Sequence, residues 1–236
     1  MSGMLPQKEL VILVDWIREG ADKRSYDAGI ASIIETNCLS CHQTLSLHGN
    51  NRTDDLQTCA ACHNPRNTDL RRRVGAEEPP QDGKDEESVD FKTMVHAIHA
   101  PSIRENPIEI YGFGNSRHVF DEEHVHYPGN LANCETCHTD GGFTLPLADG
   151  VLATTIDTGD DLESPWDDTV ITPITAVCSS CHDGDDAAGH MTFYGGSFDT
   201  SQAAIDSGEV REDCASCHGE GSGVADAWEV HQRFLD

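Results

Sequence analysis

Ten cysteines occur in five pairs along the sequence, and a histidine directly follows the second cysteine of every pair. The resulting Cys-x-x-Cys-His motifs begin at Cys38, Cys59, Cys134, Cys178 and Cys214. This spacing is typical of c-type haem attachment, in which two thiols bond the haem vinyl groups and the adjacent histidine ligates the iron. Because no cysteine is left over, the sequence predicts five covalently bound haem c groups.

The motifs supply two sets of candidate site residues. The cysteines predicted to attach haem are Cys38, Cys41, Cys59, Cys62, Cys134, Cys137, Cys178, Cys181, Cys214 and Cys217. The histidines predicted to be proximal iron ligands are His42, His63, His138, His182 and His218. A disulphide framework would not require a histidine in every motif, and structural zinc sites often pair two Cys-x-x-Cys units. Five motifs cannot pair off evenly, so haem explains the pattern better.

The composition favours a chain that wraps its cofactors. Hydrophobic residues make up 37% of the 236 residues and aromatic residues 6%, which is lean for a globular core, whereas Gly (21) and Pro (10) are frequent. We therefore expect the porphyrins to supply much of the apolar interior. The predicted fold class is a haem-wrapped multihaem cytochrome c, with mostly short α-helices and loops and little β structure.

The net charge of −27 argues against binding to nucleic acid or to an anionic membrane surface. The sequence has no run of 18 apolar residues, so no transmembrane segment is predicted. Haem is attached to c-type cytochromes outside the cytoplasmic membrane. The predicted location is therefore extracellular or at the outer cell surface, with the periplasm as the alternative.

Two domains are predicted. Residues 1–32 form an N-terminal helical appendage, whose helix at 6–20 resembles the last helix of small monohaem cytochromes and includes Pro6 in its first turn. An ordinary amphipathic helix is an equally good interpretation of this stretch. Residues 33–236 form the pentahaem cytochrome domain.

Within the larger domain, residues 71–90 are interpreted as a polar linker. Its arginines at 71–73 are either solvated, as such runs more often are, or paired with haem propionates. Residues 90–100 predict a helix that the following proline ends. Residues 101–133 are expected to be rich in loops, and residues 224–234 predict another short helix.

Thirteen histidines minus the five in the motifs leave eight candidates for the sixth iron ligands: His48, His96, His99, His118, His124, His126, His190 and His231. Their number permits two histidines on every iron, a closed coordination that suits a low-potential electron carrier. His96 and His99 lie three residues apart on the predicted helix. At about 100° per residue their directions differ by roughly 60°, so they are predicted to reach two different haems.

Several stretches resemble the pentahaem module of the OmcA/MtrC-type outer-membrane multihaem cytochromes, which act in extracellular electron transfer. The resemblance covers about residues 33–233 and rests on Leu47–Gly49, Thr58–Pro65, Val89–His99, Tyr127–Leu131, Leu145–Leu152, His190–Met191 ahead of Gly195-Gly196, Cys217–Gly219 and Val230–His231. Full-length members carry two such modules separated by β-barrel domains. This chain has one module and no alternating strand pattern of barrel length.

The resemblance implies a role and a ligand set. The implied distal ligands are His48, His96, His99, His190 and His231. His118, His124 and His126 are then left over. The implied role is that of an electron carrier rather than an enzyme, which passes electrons to metal oxides, flavins, humic substances or other cytochromes.

Three alternatives remain open at the level of sequence. A multihaem reductase of nitrite, hydroxylamine or a sulfur oxyanion would need one iron with an exchangeable position. A single module could also assemble end to end into a filament, which would make a second copy of the chain a partner. The acidic loops at 157–161 and 183–186 are candidate calcium sites, although neither has the EF-hand spacing.

Overall fold

A computed structural model describes residues 37–45, 48, 59–138, 142–148 and 150–235. The chain divides into two compact units, one formed by Met1–Thr58 with Glu135–Asp140 and the other by Cys59–Cys134 with Gly141–Asp236. The appendage predicted at 1–32, including its helix at 6–20, lies outside the described residues.

Short helices dominate the described ranges, as the composition predicted. The α-helices are α1 (Leu39–Cys41), α2 (Leu70–Arg73), α3 (Phe91–His99), α4 (Pro173–Ser179), α5 (Asp185–Phe193), α6 (Gln202–Asp206), α7 (Ala215–His218) and α8 (Ala227–Gln232). Two further turns, Phe113–Asn115 and Cys134–Thr136, are 3-10 helices. In the larger unit α4 packs against both α3 and α5.

The β structure of the described residues consists of two small antiparallel sheets. One pairs β1 (Ile108–Tyr111) with β2 (Arg117–Phe120), and the other pairs β3 (Thr154–Asp157) with β4 (Thr169–Ile171). The β1–β2 hairpin falls inside the stretch expected to be rich in loops. Three of the four β1 residues are buried, so the strand lacks the alternation that marks a half-exposed strand in a sequence.

Helix α3 confirms the helix predicted at 90–100. Asp90 caps its N-terminus by accepting a hydrogen bond from the Lys92 backbone N–H. The helix ends at His99, with Ala100 as its C-cap directly before Pro101. The short helix predicted at 224–234 is α8, which Asp226 caps by accepting from two backbone N–H groups.

The apolar core of the described residues has few members, and four of the nine are alanines. Its buried members are Ala97, Ala100, Ile108, Tyr111, Leu145, Ala153, Val170, Ala176 and Met191. The largest side chains with under 2% exposure are four threonines, Thr154, Thr155, Thr172 and Thr175. The polypeptide therefore buries little apolar mass of its own in these ranges.

Arg73 organises the stretch predicted to be a polar linker. Its guanidinium is buried and lies 2.8 Å from Asp69 and 2.7 Å from Asp82. Asp69 also accepts the backbone N–H of Tyr111 at 2.8 Å, which ties the linker to strand β1. The suggestion that the arginines meet haem propionates is therefore wrong for Arg73, whose charge is already paired within the protein.

Candidate functional site

Four of the five motifs fold as the same helical turn. In each, the histidine backbone N–H donates to the carbonyl oxygen of the first cysteine: His42 to Cys38 at 2.9 Å, His63 to Cys59 at 2.8 Å, His182 to Cys178 at 2.9 Å and His218 to Cys214 at 2.8 Å. Residues three apart on such a turn share one face, so both cysteines can reach the same cofactor. In the third motif Cys134–Thr136 forms a 3-10 turn instead. All ten cysteines are at least partly exposed, so a cofactor can reach them.

His182 of the fourth motif faces His231 on α8. Their ring centroids lie 6.1 Å apart and their planes are inclined by 51°. Two imidazoles that ligate one metal from opposite sides have centroids roughly 6 Å apart, because each ligating nitrogen lies about 2 Å from the metal. The spacing therefore fits a single iron held between a predicted proximal and a predicted distal ligand.

A second pair of the same kind involves the fifth motif. The rings of His218 and His190, the latter on α5, have centroids 5.9 Å apart and planes inclined by 77°. The two pairs are independent, since they use different motifs and different helices. Both join one residue from the proximal set to one from the distal set.

Backbone carbonyls orient five of the predicted ligands. In each case Nδ1 donates to a carbonyl oxygen: His63 to Val89 at 2.8 Å, His96 to Lys92 at 2.6 Å, His99 to Val95 at 2.8 Å, His218 to Ala225 at 2.8 Å and His231 to Ala227 at 2.6 Å. A carbonyl can only accept, so Nδ1 carries the proton and the lone pair of the neutral ring lies on Nε2. A hydrogen bond of this kind commonly orients a metal-bound histidine and raises its basicity. These residues therefore fit the axial positions of haem iron.

Burial favours the neutral form of two predicted ligands, His96 and His182. It lowers the pKa of His96, and the neighbouring His99 lowers it further. Burial also lowers the pKa of His182, with a smaller contribution from His231. Since only the neutral imidazole can bind a metal, both environments support ligation.

Asp90 holds the helix that carries His96 and His99. Its carboxylate is buried and accepts a hydrogen bond from Thr154 Oγ1 at 2.7 Å, besides capping α3. The cap fixes where the helix begins, and Thr154 fixes it against strand β3. This carboxylate therefore helps to position both histidines.

Arg104 clamps the fourth motif. Its guanidinium donates to the carbonyl oxygens of Ser179 and Ser180, at 3.2 and 2.6 Å, which are the two residues between the motif cysteines. It also lies 3.1 Å from the carboxylate of Asp183, the residue after His182. The fork of Arg104 thus holds the middle of the motif and the residue that follows it.

Neighbouring motifs lie close enough to influence each other's thiols. Burial raises the pKa of Cys178 to about 11, and Cys214 of the fifth motif contributes. Burial raises the pKa of Cys181 to about 11, partly offset by Arg104, and Cys134 of the third motif adds to it. In the smaller unit, Asn37 of the first motif's turn donates to the Cys137 carbonyl at 2.9 Å.

The remaining histidines occupy different surroundings. His42, His48 and His138 belong to the smaller unit, where His48 has a positive φ of 57°. The three histidines outside the predicted ligand set are exposed. Among them, Nε2 of His118 lies 3.0 Å from Ser116 Oγ, and His124 pairs with Asp121 at 2.6 Å.

The two acidic loops, which were candidate calcium sites, hold their carboxylates in contacts within the protein. Within the described ranges no group of three or more His, Cys, Asp or Glu side chains is arranged to hold a metal ion. Asp157 accepts a hydrogen bond from the Gly159 backbone N–H at 2.8 Å. The Asp183 carboxylate forms an ion pair with Arg104 and accepts hydrogen bonds from the backbone N–H groups of Glu105 and Asn106. These carboxylates serve the local fold.

No helix of the described ranges is long and apolar enough to cross a membrane. Comparison with individually curated proteins gives no match. The family described as outer membrane cytochrome MtrC/MtrF-like, domains II/IV, matches residues 31–232. Its members are multihaem c-type cytochromes that carry electrons. With its motifs and paired histidines inside the matched region, the chain belongs to the MtrC/MtrF-like outer membrane cytochromes.

Proposed function

We propose that this chain is a pentahaem electron-transfer protein that passes electrons along its haems to extracellular acceptors. The acceptors that suit such a carrier are metal oxides, flavins, humic substances and other cytochromes. The observation that carries the proposal is the pairing of proximal and distal histidines at distances that fit one iron, His182 with His231 and His190 with His218.

The pairing supports a ligand set for the fourth and fifth sites. Cys178, Cys181 and His182 would hold the fourth haem, and His231 would be the second ligand of its iron. The fifth site is formed in the same way by Cys214, Cys217, His218 and His190. Bound haem supplies an iron that accepts and releases one electron.

The remaining ligands follow the same logic. His63 is the proximal ligand of the second haem, and the carbonyl-bonded His96 and His99 are distal ligands of two different haems. His42 and His138 are proximal ligands in the smaller unit, and His48 completes the distal set.

Paired imidazoles favour electron transfer over substrate reduction. A reductase needs an iron with an exchangeable position, and two histidines at one iron leave none. The fourth and fifth sites are therefore closed, and every motif keeps its histidine.

The family also bears on location and partners. Since its members are outer membrane cytochromes, we place this protein on the outer face of the cell rather than in the periplasm. Its partners are then redox cytochromes or extracellular acceptors, and neither the described residues nor the family match supports assembly into a homopolymer.

Two variants test the proposal. The intact denatured protein should carry five haems by mass, and its visible spectrum should be low-spin. His231→Ala and His190→Ala should each convert one haem to a five-coordinate form that binds carbon monoxide, while His124→Ala, at an exposed histidine paired with Asp121, should change nothing. Fewer than five haems, or rapid carbon monoxide binding by the unaltered protein, would contradict the assignment and favour a reductase.

A further inference from the structure

Glu212 lies two residues before the fifth motif, and its carboxylate binds the first turn of the helix that leads into the fourth. It accepts four hydrogen bonds there: from Thr172 Oγ1 at 2.7 Å, Ile174 N at 2.8 Å, Thr175 N at 2.7 Å and Thr175 Oγ1 at 2.6 Å. Helix α4, which begins at Pro173, contains the first cysteine of the fourth motif, Cys178. Glu212 therefore connects the two motifs directly.

The connection lies in a closely packed part of the larger unit. Thr172 and Thr175 are 1% and 0% exposed. The next residue, Asp213, donates its backbone N–H to the carbonyl of Tyr194 at 2.9 Å, at the end of the helix that carries His190. The segment with Glu212 is thus fixed between α4 and α5.

The charge of Glu212 affects a predicted haem-attachment cysteine in each motif, Cys178 and Cys214. Burial is the first cause that raises the pKa of Cys178 to about 11, and Glu212 adds to it after Cys214. At Cys214 burial again comes first and Glu212 is the next cause. All four of its hydrogen bonds come from neutral donors, two hydroxyls and two backbone N–H groups.

We propose that Glu212 sets the reduction potentials of the fourth and fifth haems together. The inference rests on haem attachment at Cys178 and Cys214, as proposed above. Reduction adds one electron to the iron, so a fixed carboxylate nearby stabilises the oxidised, more positive state and lowers the potential. Because one carboxylate lies near both motifs, it acts on the two haems of a neighbouring pair.

Glu212→Gln tests the charge. In a potentiometric titration followed by visible spectra, two of the five one-electron components should shift to higher potential while the other three stay in place. Glu209→Gln makes the same change at an exposed residue of the same segment and should leave all components in place. Unchanged potentials in Glu212→Gln, or an equal shift of all five components, would overturn the inference.

Thr175→Val distinguishes the effect of the Glu212 charge from the effect of its hydrogen bonds on the position of α4. It also tests the proposal if Glu212→Gln folds poorly. Valine keeps the shape of threonine but removes one of the four hydrogen bonds, so the carboxylate keeps its charge with less compensation. The same two components should then stay in place or move to lower potential. A rise equal to that of Glu212→Gln would show that Glu212 acts by positioning α4 alone. Haem count and spin state, measured first on the unaltered protein, test the proposed function separately.

Discussion

The Nδ1 atom of His63 donates to the carbonyl oxygen of Val89 at 2.8 Å, so the residue before the cap of α3 orients a predicted proximal ligand. Phe91, the first residue of α3, packs its ring edge-on against His63, with centroids 5.7 Å apart. The same helix carries His96 and His99. One short segment therefore positions three predicted ligands, and a change within it should affect more than one haem.

Asp90→Ala tests this dependence. Loss of the cap should lower the free energy of unfolding by about 1 kcal/mol, and the unpaired hydroxyl of Thr154 should cost about 1–3 kcal/mol more. The visible spectrum should show weakened ligation at the haems served by His96 and His99. Ser201→Ala removes a comparable cap from α6, which carries no predicted ligand, and should destabilise without a spectral change. A normal spectrum for Asp90→Ala would show that the cap does not position the histidines.

His96→Ala and His99→Ala should each open a different haem. Either variant should show one five-coordinate haem, and the double variant should show two, because the side chains leave α3 in different directions. Carbon monoxide binding, counted per protein, measures this. His118→Ala, an exposed histidine beside Ser116, is the control. A double variant with only one open haem would mean that both histidines serve the same site.

Arg104→Lys should weaken the fourth motif although it keeps the positive charge. A lysine cannot contact two carbonyl oxygens and the Asp183 carboxylate in the fork geometry of arginine. Loss of hydrogen bonds from a charged group should lower the free energy of unfolding by about 2 kcal/mol. Denaturant unfolding measures this free energy. As the denaturant concentration rises, the haem ligated by His182 should lose its low-spin visible spectrum before the other haems do. Equal stability of the two proteins would show that the charge alone suffices.

Asp82 should contribute to stability only above acidic pH. Burial raises its pKa, but hydrogen bonds from Arg73 and from the Lys84 backbone outweigh burial, so the pKa in the folded protein lies below the ordinary value of 3.8. Its contribution is therefore fully present above pH 3.8 and is lost as the pH falls through the folded-state pKa. The difference in unfolding free energy between the unaltered protein and Asp82→Asn should accordingly shrink as the pH falls below 3.8. A difference that is the same at pH 6 and pH 3 would contradict this role.

The sequence predicts most reliably what neighbouring residues encode. The Cys-x-x-Cys-His spacing identifies both attachment and ligation chemistry within five residues. Helix α3 is predictable because the residues that mark its start, its end and its two histidines all lie within one short stretch of sequence. The distal roles of His190 and His231 came from the resemblance to a family, since nothing near either residue marks it as a ligand.

The residues that sequence reasoning missed act over long separations. Arg104 and Ser180 are 76 positions apart, and Glu212 and Thr175 are 37 apart. Neither charged residue stands out from its neighbours in an acidic, polar sequence. Arg73 was misjudged for a related reason, since two adjacent arginines of the same run are exposed and only the fold distinguishes them.

The small apolar core of the described residues has a consequence for calorimetry. The heat-capacity change of unfolding rises with the apolar surface that becomes exposed and falls with the polar surface. The nine buried apolar residues of the described ranges, four of them alanines, expose little apolar surface on unfolding, so the polypeptide should contribute weakly. The measured heat-capacity change should therefore come largely from porphyrin faces, and its excess over the polypeptide's share would measure how much haem surface the protein shields from water.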